Sequence, residues 1–482
     1  MAEQTLKEKT AKGLFWGGLS NMLLQVMSMV FGIVMARILT PHDYGMFAVL
    51  IIFTTMAALL QESGFIVALI NKKNVTDEDY NSVFWFSCSM GVTLYLLLYA
   101  LAPFIARYYH APELTAASRV LFIWFLFGCT CTVHNAVLIR HLMMKERAKA
   151  DVAAFIVSCI VGVTMAVKGM GYWSLIMQMV VQGCVSSLMR WYFSPWRPKL
   201  DFSFMPLKEM FPFSIKLLLT GVVNVVNSNI FAIILGRYYT KEQTGFYNQG
   251  YKWAYTGYSV IWGMVNNVSQ PVLAQVADTP ERQVTVFRKL VRFVMFVTCP
   301  CMLGLAFVAP EFIIATVTDK WLESVPFMQI FCLWGLITPI NNLCTNAIVS
   351  HGKSDVYMYG TIALDVVQLG VIYLTSSLGL YPMMASYIAV NFVWFFVWFY
   401  FLHRRIPVVL AQMLWRDMVP YLGVTLLSIG IAWVACLYID NLYVRLFAKI
   451  GIVAVLYITV LYLMKSVMLK ETLQYLSKKK FK

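Results

Sequence analysis

Between residues 13 and 468 the chain is a succession of apolar stretches, separated by connections too short to fold by themselves. Each stretch is about as long as a helix needs to cross a bilayer, roughly 20 residues. In hydrocarbon every backbone N–H and C=O must be bonded within the protein, so stretches of this length become helices. They fall at 13–39, 44–70, 81–106, 117–143, 152–168, 173–194, 213–236, 246–274, 289–317, 325–349, 356–377, 381–402, 418–439 and 444–468, about fourteen in all. Only 13% of the 482 residues are charged, too few to clothe soluble domains, where about a quarter are. The expected fold class is therefore an all-α polytopic membrane protein.

A net charge of +15 would suggest nucleic acid in a soluble chain. Here the basic residues sit between spans, where they set topology instead. Assigned to alternate sides, about 28 of the 38 Lys and Arg fall with the termini, so both termini are expected to be cytoplasmic. The run from Gly13 to Leu39 is too long for the apolar core of a signal peptide and reads as the first span. The ten cysteines include no C-x-x-C and read as small buried hydrophobes.

The chain also repeats itself. Val26, Ser28, Phe31, Ile33, Arg37, Thr40 and Gly45 recur 200 residues later as Val226, Ser228, Phe231, Ile233, Arg237, Thr240 and Gly245. Six spans separate the copies, so both enter the membrane in the same sense, as in a parallel repeat about an axis along the membrane normal. The expected organisation is two pseudo-symmetric six-helix lobes, 1–194 and 213–403. They are joined by a cytoplasmic linker, 195–212, and followed at 404–482 by two further helices and a basic tail.

The first copy of the repeat, Ala36-Arg-Ile-Leu-Thr-Pro-His-Asp-Tyr-Gly45, resembles the A-R-x-L-x-P-x-D-Y-G signature of Wzx-type polysaccharide and O-antigen flippases, which are lipopolysaccharide biosynthesis proteins. Trp196-Arg-Pro-Lys199 and Gly245-Phe-Tyr-Asn-Gln-Gly-Tyr251 are similar to that family as well. It belongs to the multidrug/oligosaccharidyl-lipid/polysaccharide exporter superfamily. The resemblance implies fourteen helices in two lobes around a cavity lined by the first, second, seventh and eighth. It also implies translocation of undecaprenyl-pyrophosphate-linked oligosaccharide from the cytoplasmic to the periplasmic leaflet of a bacterial inner membrane. The implied partners are that substrate and membrane lipids, with a polysaccharide polymerase or chain-length machinery beside them, and no nucleic acid. No cofactor is expected beyond a proton or sodium gradient.

Polar residues inside the spans point to where such a cavity lies. Asn21, Gln25 and Ser28 share one face of the first span, and Thr220, Asn224 and Asn227 match them on the seventh, with Lys216 a turn before. Asn266 and Gln270 pair on the eighth, with Lys252, Tyr255 and Tyr258 nearer its other end. Two readings stand, a hydrated sugar-binding cleft or hydrogen-bonded glue between helices. A pyrophosphate needs cations. Lys216, Arg37, Arg237, Lys252 and Arg140 are the candidates, and snorkelling to the interface is the alternative for Arg37 and Arg237. Glu62 and Asp365 are placed to carry a proton or ligate sodium, or else to pair with a structural cation or stand in a water-filled vestibule. Gly335 to Asn342, containing Pro339, is expected to interrupt the tenth span and place Asn341 and Asn342 beside freed backbone.

Other signals read as structural. Asp77-Glu78-Asp79 reads as a solvated acidic turn, His134 as a satisfied buried histidine, and Gly352-Lys353-Ser354 lacks the earlier glycine of a P-loop. A cation-coupled small-molecule exporter has the same architecture and remains the alternative. A membrane polysaccharide polymerase would need a large external loop, which no connection supplies. The expected class is a transporter without ATPase or catalytic motif.

Overall fold

The computed structural model describes residues 6–62, 69, 72, 75–208, 225, 229–231, 233–276, 279–351, 353–404, 406–471 and 474. Lys216, Asn224 and Asn227 lie outside the described residues, as do the side chains of Glu62, Asn266 and Gln270. The described chain is helical, in the order α1 (Leu6–Ile38), α2 (Pro41–Glu62), α3 (Asp77–Tyr108), α4 (Leu114–Leu121), α5 (Trp124–Arg140), α6 (Met144–Val167) and α7 (Trp173–Phe193). There follow α8 (Lys241–Gln275), α9 (Pro280–Val317), α10 (Val325–Ser350), α11 (Ser354–Thr375), α12 (Leu380–His403), α13 (Val419–Ala435) and α14 (Leu442–Leu463). Eleven spans among the described residues are long and apolar enough to cross a membrane. The helices α7 and α8 are long but more polar, and 229–238 is a short apolar stretch of the seventh segment. The protein is an all-α, multi-pass membrane protein.

By internal packing the chain divides into Met1–Asn248 and Gln249–Lys482. In the first unit, α6 and α7 form an antiparallel hairpin. Its turn needs left-handed backbone at Gly169 (φ 78°) and Gly171 (φ 54°). Helix α1 lies on α6, while α3 packs on α5 and α5 on α7. The fourth predicted span is two helices, α4 and α5, because the chain turns at Phe122 and Ile123.

The start of α3 corrects one expectation. Asp79 is buried, not solvated. It accepts from Thr76 N (2.9 Å) while Thr76 Oγ1 accepts from Asp79 N (3.3 Å), a capping box that satisfies two of the helix's orphan donors. Lys72 Nζ lies 3.0 Å from the same carboxylate. The linker then crosses this helix end. Trp85 Nε1 donates to Lys199 O (2.8 Å), Lys199 N to Asn81 Oδ1 (2.9 Å) and Ser203 N to Ser82 Oγ (3.2 Å). Trp196 packs between Tyr80, Phe84 and His134. His134 is fully buried among these rings and Trp191, yet neither ring nitrogen has a hydrogen-bond partner among the described residues, so the aromatic faces and not polar partners hold it.

In the second unit α9 is the centre, packed by α10, α13 and α14. Two ion clusters fasten it. Near its start, Arg288 forks onto Asp417 (2.6 and 3.2 Å) and Arg292 Nε lies 3.0 Å from the same carboxylate. Near its other end, Glu311 meets Lys449 (2.7 Å) and Arg445 (3.0 Å) of α14. Lys449 also stands over the Phe307 ring at 4.4 Å. The expected interruption of the tenth span does not occur, since α10 runs unbroken through Pro339. A proline removes one helical bond and bends the helix without ending it when its surroundings hold. Here Thr338 Oγ1 bonds back to Trp334 O (2.7 Å), and Gly335 lets the Met302 side chain of α9 come close.

Candidate functional site

The ends of the two copies, at Thr40 and Thr240, are capped the same way. Thr40 and Asp43 form a capping box at the start of α2: Thr40 N and Oγ1 donate to Asp43 Oδ2 (2.9 and 2.7 Å), and Asp43 N donates to Thr40 Oγ1 (3.3 Å). At the start of α8, Thr240 N donates to Gln243 Oε1 (3.3 Å) and Gln243 N to Thr240 Oγ1 (3.2 Å). The second Asp43 oxygen takes Tyr172 N (2.9 Å) from the α6–α7 turn. The glycines that close each motif explain the rest of the pattern. Gly45 lies against the backbone of Lys241, and Gly245 against the backbone of Pro41. Each copy therefore offers its glycine to the other copy's first helical residue, a reciprocal contact with local two-fold character that no side chain would permit.

Cations anchor this contact. Arg237 donates to Tyr108 O and shares a 2.6 Å contact with His110 Nε2, its guanidinium over the Tyr108 ring. Lys241 Nζ donates to Tyr109 O (3.0 Å) and Gly236 O (2.9 Å). Burial lowers the Lys241 pKa below the usual lysine range.

A cavity of about 390 Å³ opens inside the first unit between α5, α6 and α7, with Leu24 of α1 at one side. Trp124, Gln182, Ser186, Asp151 and Arg190 bring an indole, a carboxamide, a hydroxyl and an ion pair to it. Arg190 Nη2 lies 2.8 Å from Asp151 Oδ1, and Arg147 Nε stands 3.8 Å from the other oxygen. Gln178 Nε2 donates to Gln182 Oε1 (3.2 Å). None of these cavity residues is among the sequence candidates. The signal is present nonetheless, because Gln178, Gln182, Ser186 and Arg190 follow at intervals of four and make one polar stripe on α7. That stripe is also why α7 is less apolar than its neighbours.

The sequence candidates fall into several places. Asn21 and Gln25 are exposed on α1 and Ser28 is half-buried; Leu24, which borders the cavity, lies between them in sequence. Arg37 is exposed in the last turn of α1. Arg140 donates to Leu69 O (3.0 Å) and Lys72 O (2.7 Å), so it gathers the chain leading into α3. In the second unit Lys252 is half-buried. Beside it Tyr258 is buried against Trp334 (4.9 Å between centroids) and Tyr255 remains exposed. Asn341 Nδ2 donates to Asn391 O (3.2 Å), tying α10 to α12, while Asn341 Oδ1 and Asn342 Nδ2 are buried without partners among the described residues. Asp365 of α11 is 7% exposed, with Gln368 buried a turn further on.

Comparison with known proteins agrees with this architecture. Residues 34–326 match the polysaccharide biosynthesis protein family. The lipopolysaccharide biosynthesis protein WzxC of Escherichia coli is 24% identical over 359 residues, covering 73% of this chain and 72% of that one. The teichuronic acid biosynthesis protein TuaB of Bacillus subtilis is 25% identical over 362 residues, covering 74% of each. Among solved structures, the lipid II flippase MurJ in an inward closed conformation superposes with a TM-score of 0.73 at 13% identity, covering 95% of this chain and 99% of that one. An inward-facing multidrug transporter of the MATE family gives 0.60 at 15% identity, covering 80% and 94%. The family match takes in Ala36–Gly45, the whole second copy of the recurring segment and helices α5, α6 and α7. This chain belongs to the polysaccharide biosynthesis protein family.

Proposed function

We propose that the protein is a flippase that carries undecaprenyl-pyrophosphate-linked oligosaccharide from the cytoplasmic to the periplasmic leaflet of a bacterial inner membrane, by alternating access and for surface polysaccharide synthesis. One observation carries the reading beyond family membership. Asn21 and Gln25 stand exposed on a helix that is otherwise apolar enough to cross a membrane. An amide turned to lipid has no hydrogen-bond partner, so such a face is stable only against water or a polar ligand. Polar hydroxyls and amides suit a glycan, and the basic excess on the side of the termini suits a pyrophosphate arriving from the cytoplasm.

The topology has both termini cytoplasmic, and a polysaccharide polymerase or chain-length machinery acts beside the protein. Asp365, buried on α11, and Glu62, on the last turn of α2, are the coupling candidates for a proton or sodium gradient. The multidrug alternative rests on fold likeness, whereas the sequence relatives are named for polysaccharide synthesis.

The test is reconstitution into liposomes with a fluorescent undecaprenyl-pyrophosphate glycan, read by the fraction accessible to an impermeant quencher. Exchange between leaflets well above protein-free vesicles is expected, and it falls when the coupling gradient is collapsed. Exchange no faster than in protein-free vesicles, with or without each gradient, refutes the flippase reading.

A further inference from the structure

The cavity in the first unit has a composition that fits one kind of ligand better than others. A sugar ring presents hydroxyls around its edge and a weakly polar C–H face, so it needs hydrogen-bonding groups in more than one direction together with an aromatic surface. The cavity supplies both. The Trp124 indole rests on the Gly183 backbone, where a Cβ would stand 2.7 Å from Nε1, so its position is fixed by the absence of a side chain at residue 183. Around it Ser186 and Gln182 offer a hydroxyl and amide N–H groups, and the Asp151–Arg190 pair offers acceptors and donors side by side. Arg190 Nε is buried without a hydrogen-bond partner among the described residues.

The electrostatics select against the other half of the substrate. A pyrophosphate needs uncompensated cations, but Asp151, which lines the same space, lies 2.8 Å from Arg190. Arg147, 3.8 Å from the other Asp151 oxygen, does not line the cavity, so within the wall an anion meets the carboxylate beside Arg190, whereas a neutral polyol is bonded by both members of the pair. Size agrees as well. A hexosyl ring displaces roughly 180 Å³, about six water volumes. A space of about 390 Å³ therefore has room for one ring.

We propose that the cavity between α5, α6 and α7 is a glycosyl subsite that holds one uncharged sugar ring of the carried oligosaccharide, with Trp124 as its platform and Gln182, Ser186, Asp151 and Arg190 as its hydrogen-bonding wall. The inference rests on the flippase reading and adds to it the part of the substrate that this unit recognises. It makes glycan selection a property of α5–α7 and not of the cations.

Saturation-transfer NMR on the full chain in lipid nanodiscs tests it. The probes are methyl glycosides of neutral hexoses and N-acetylhexosamines, with methyl glucuronide as the anionic member. At least one neutral glycoside binds the wild type. Trp124→Ala weakens that binding about tenfold, Ser186→Ala about fivefold, and Trp124→Phe less than Trp124→Ala. Ser186→Ala and Trp124→Phe keep the local packing, so the result does not depend on Trp124→Ala folding. Absence of binding by every neutral glycoside, preference for the glucuronide, or binding unchanged in Ser186→Ala and both Trp124 variants overturns the subsite. The same variants in the vesicle assay separate the two ideas. Wild-type flipping with no effect of these substitutions removes the subsite and keeps the flippase. No flipping by the wild type removes the flippase reading, whatever the glycosides do.

Discussion

Replacing Gly45 by alanine is the sharpest test of the reciprocal contact between the two copies of the repeat. A Cβ at residue 45 would stand 2.6 Å from the Lys241 carbonyl carbon, and one at residue 245 would stand 2.8 Å from that of Pro41. Ordinary contact begins near 3.4 Å. Because the obstacle is backbone, with each carbonyl oxygen nearer still than its carbon, it cannot rotate aside, and α2 and the start of α8 must part. Overpacking of this kind costs about 1–3 kcal/mol. Alanine recovers about 0.5–1 kcal/mol through its better helix propensity, so each single variant remains destabilised. The two penalties are not independent. Once Gly45→Ala has separated the helices, Gly245→Ala meets less resistance, and the double variant loses clearly less than the sum of the singles. Gly304→Ala on α9 is the control, because nothing lies within 4 Å of its Cβ, and it leaves stability unchanged or slightly raised. Thermal unfolding of the purified protein in detergent reads all four. Full additivity of the two motif glycines, or losses no larger than that of Gly304→Ala, refutes the reciprocal contact.

Two further outcomes are expected. Glu311→Ala leaves Lys449 nearly buried without its carboxylate, which costs about 3–5 kcal/mol, while Glu311→Leu with Lys449→Met recovers most of the loss; melting curves decide, and a double variant no better than Glu311→Ala contradicts the account. Lys216→Ala reduces glycolipid exchange in vesicles more than Lys216→Arg does, and equal full activity of the two removes Lys216 from headgroup capture.

The sequence was legible where the physics is local. A helix must satisfy its own backbone in hydrocarbon, so hydropathy placed the spans from composition alone, and short apolar runs such as 356–377 and 381–402 appear as α11 and α12. Capping chemistry is equally local, and Thr40 with Asp43 announces the start of α2. Reading failed where the answer lies in another part of the chain. Asp79 looked like part of a solvated turn until Lys72 and the capping geometry buried it, and Pro339 looked like a break until its neighbours held α10 together. His134 looked like a hydrogen-bonded histidine and proved to be held by aromatic rings.

What the amino acids determined by themselves was the class of solvent this protein folds in and the position of most of its spans, because each follows from neighbours in sequence. What only the tertiary structure decided was which polar groups share a space. The stripe on α7 acquires chemistry because Asp151 of α6 and Trp124 of α5 come to meet it, and Gly45 acquires meaning because Lys241, nearly 200 residues away, leaves no room for a side chain. Packing between distant segments is set by shape and burial summed over whole helices, and no window of sequence contains that sum.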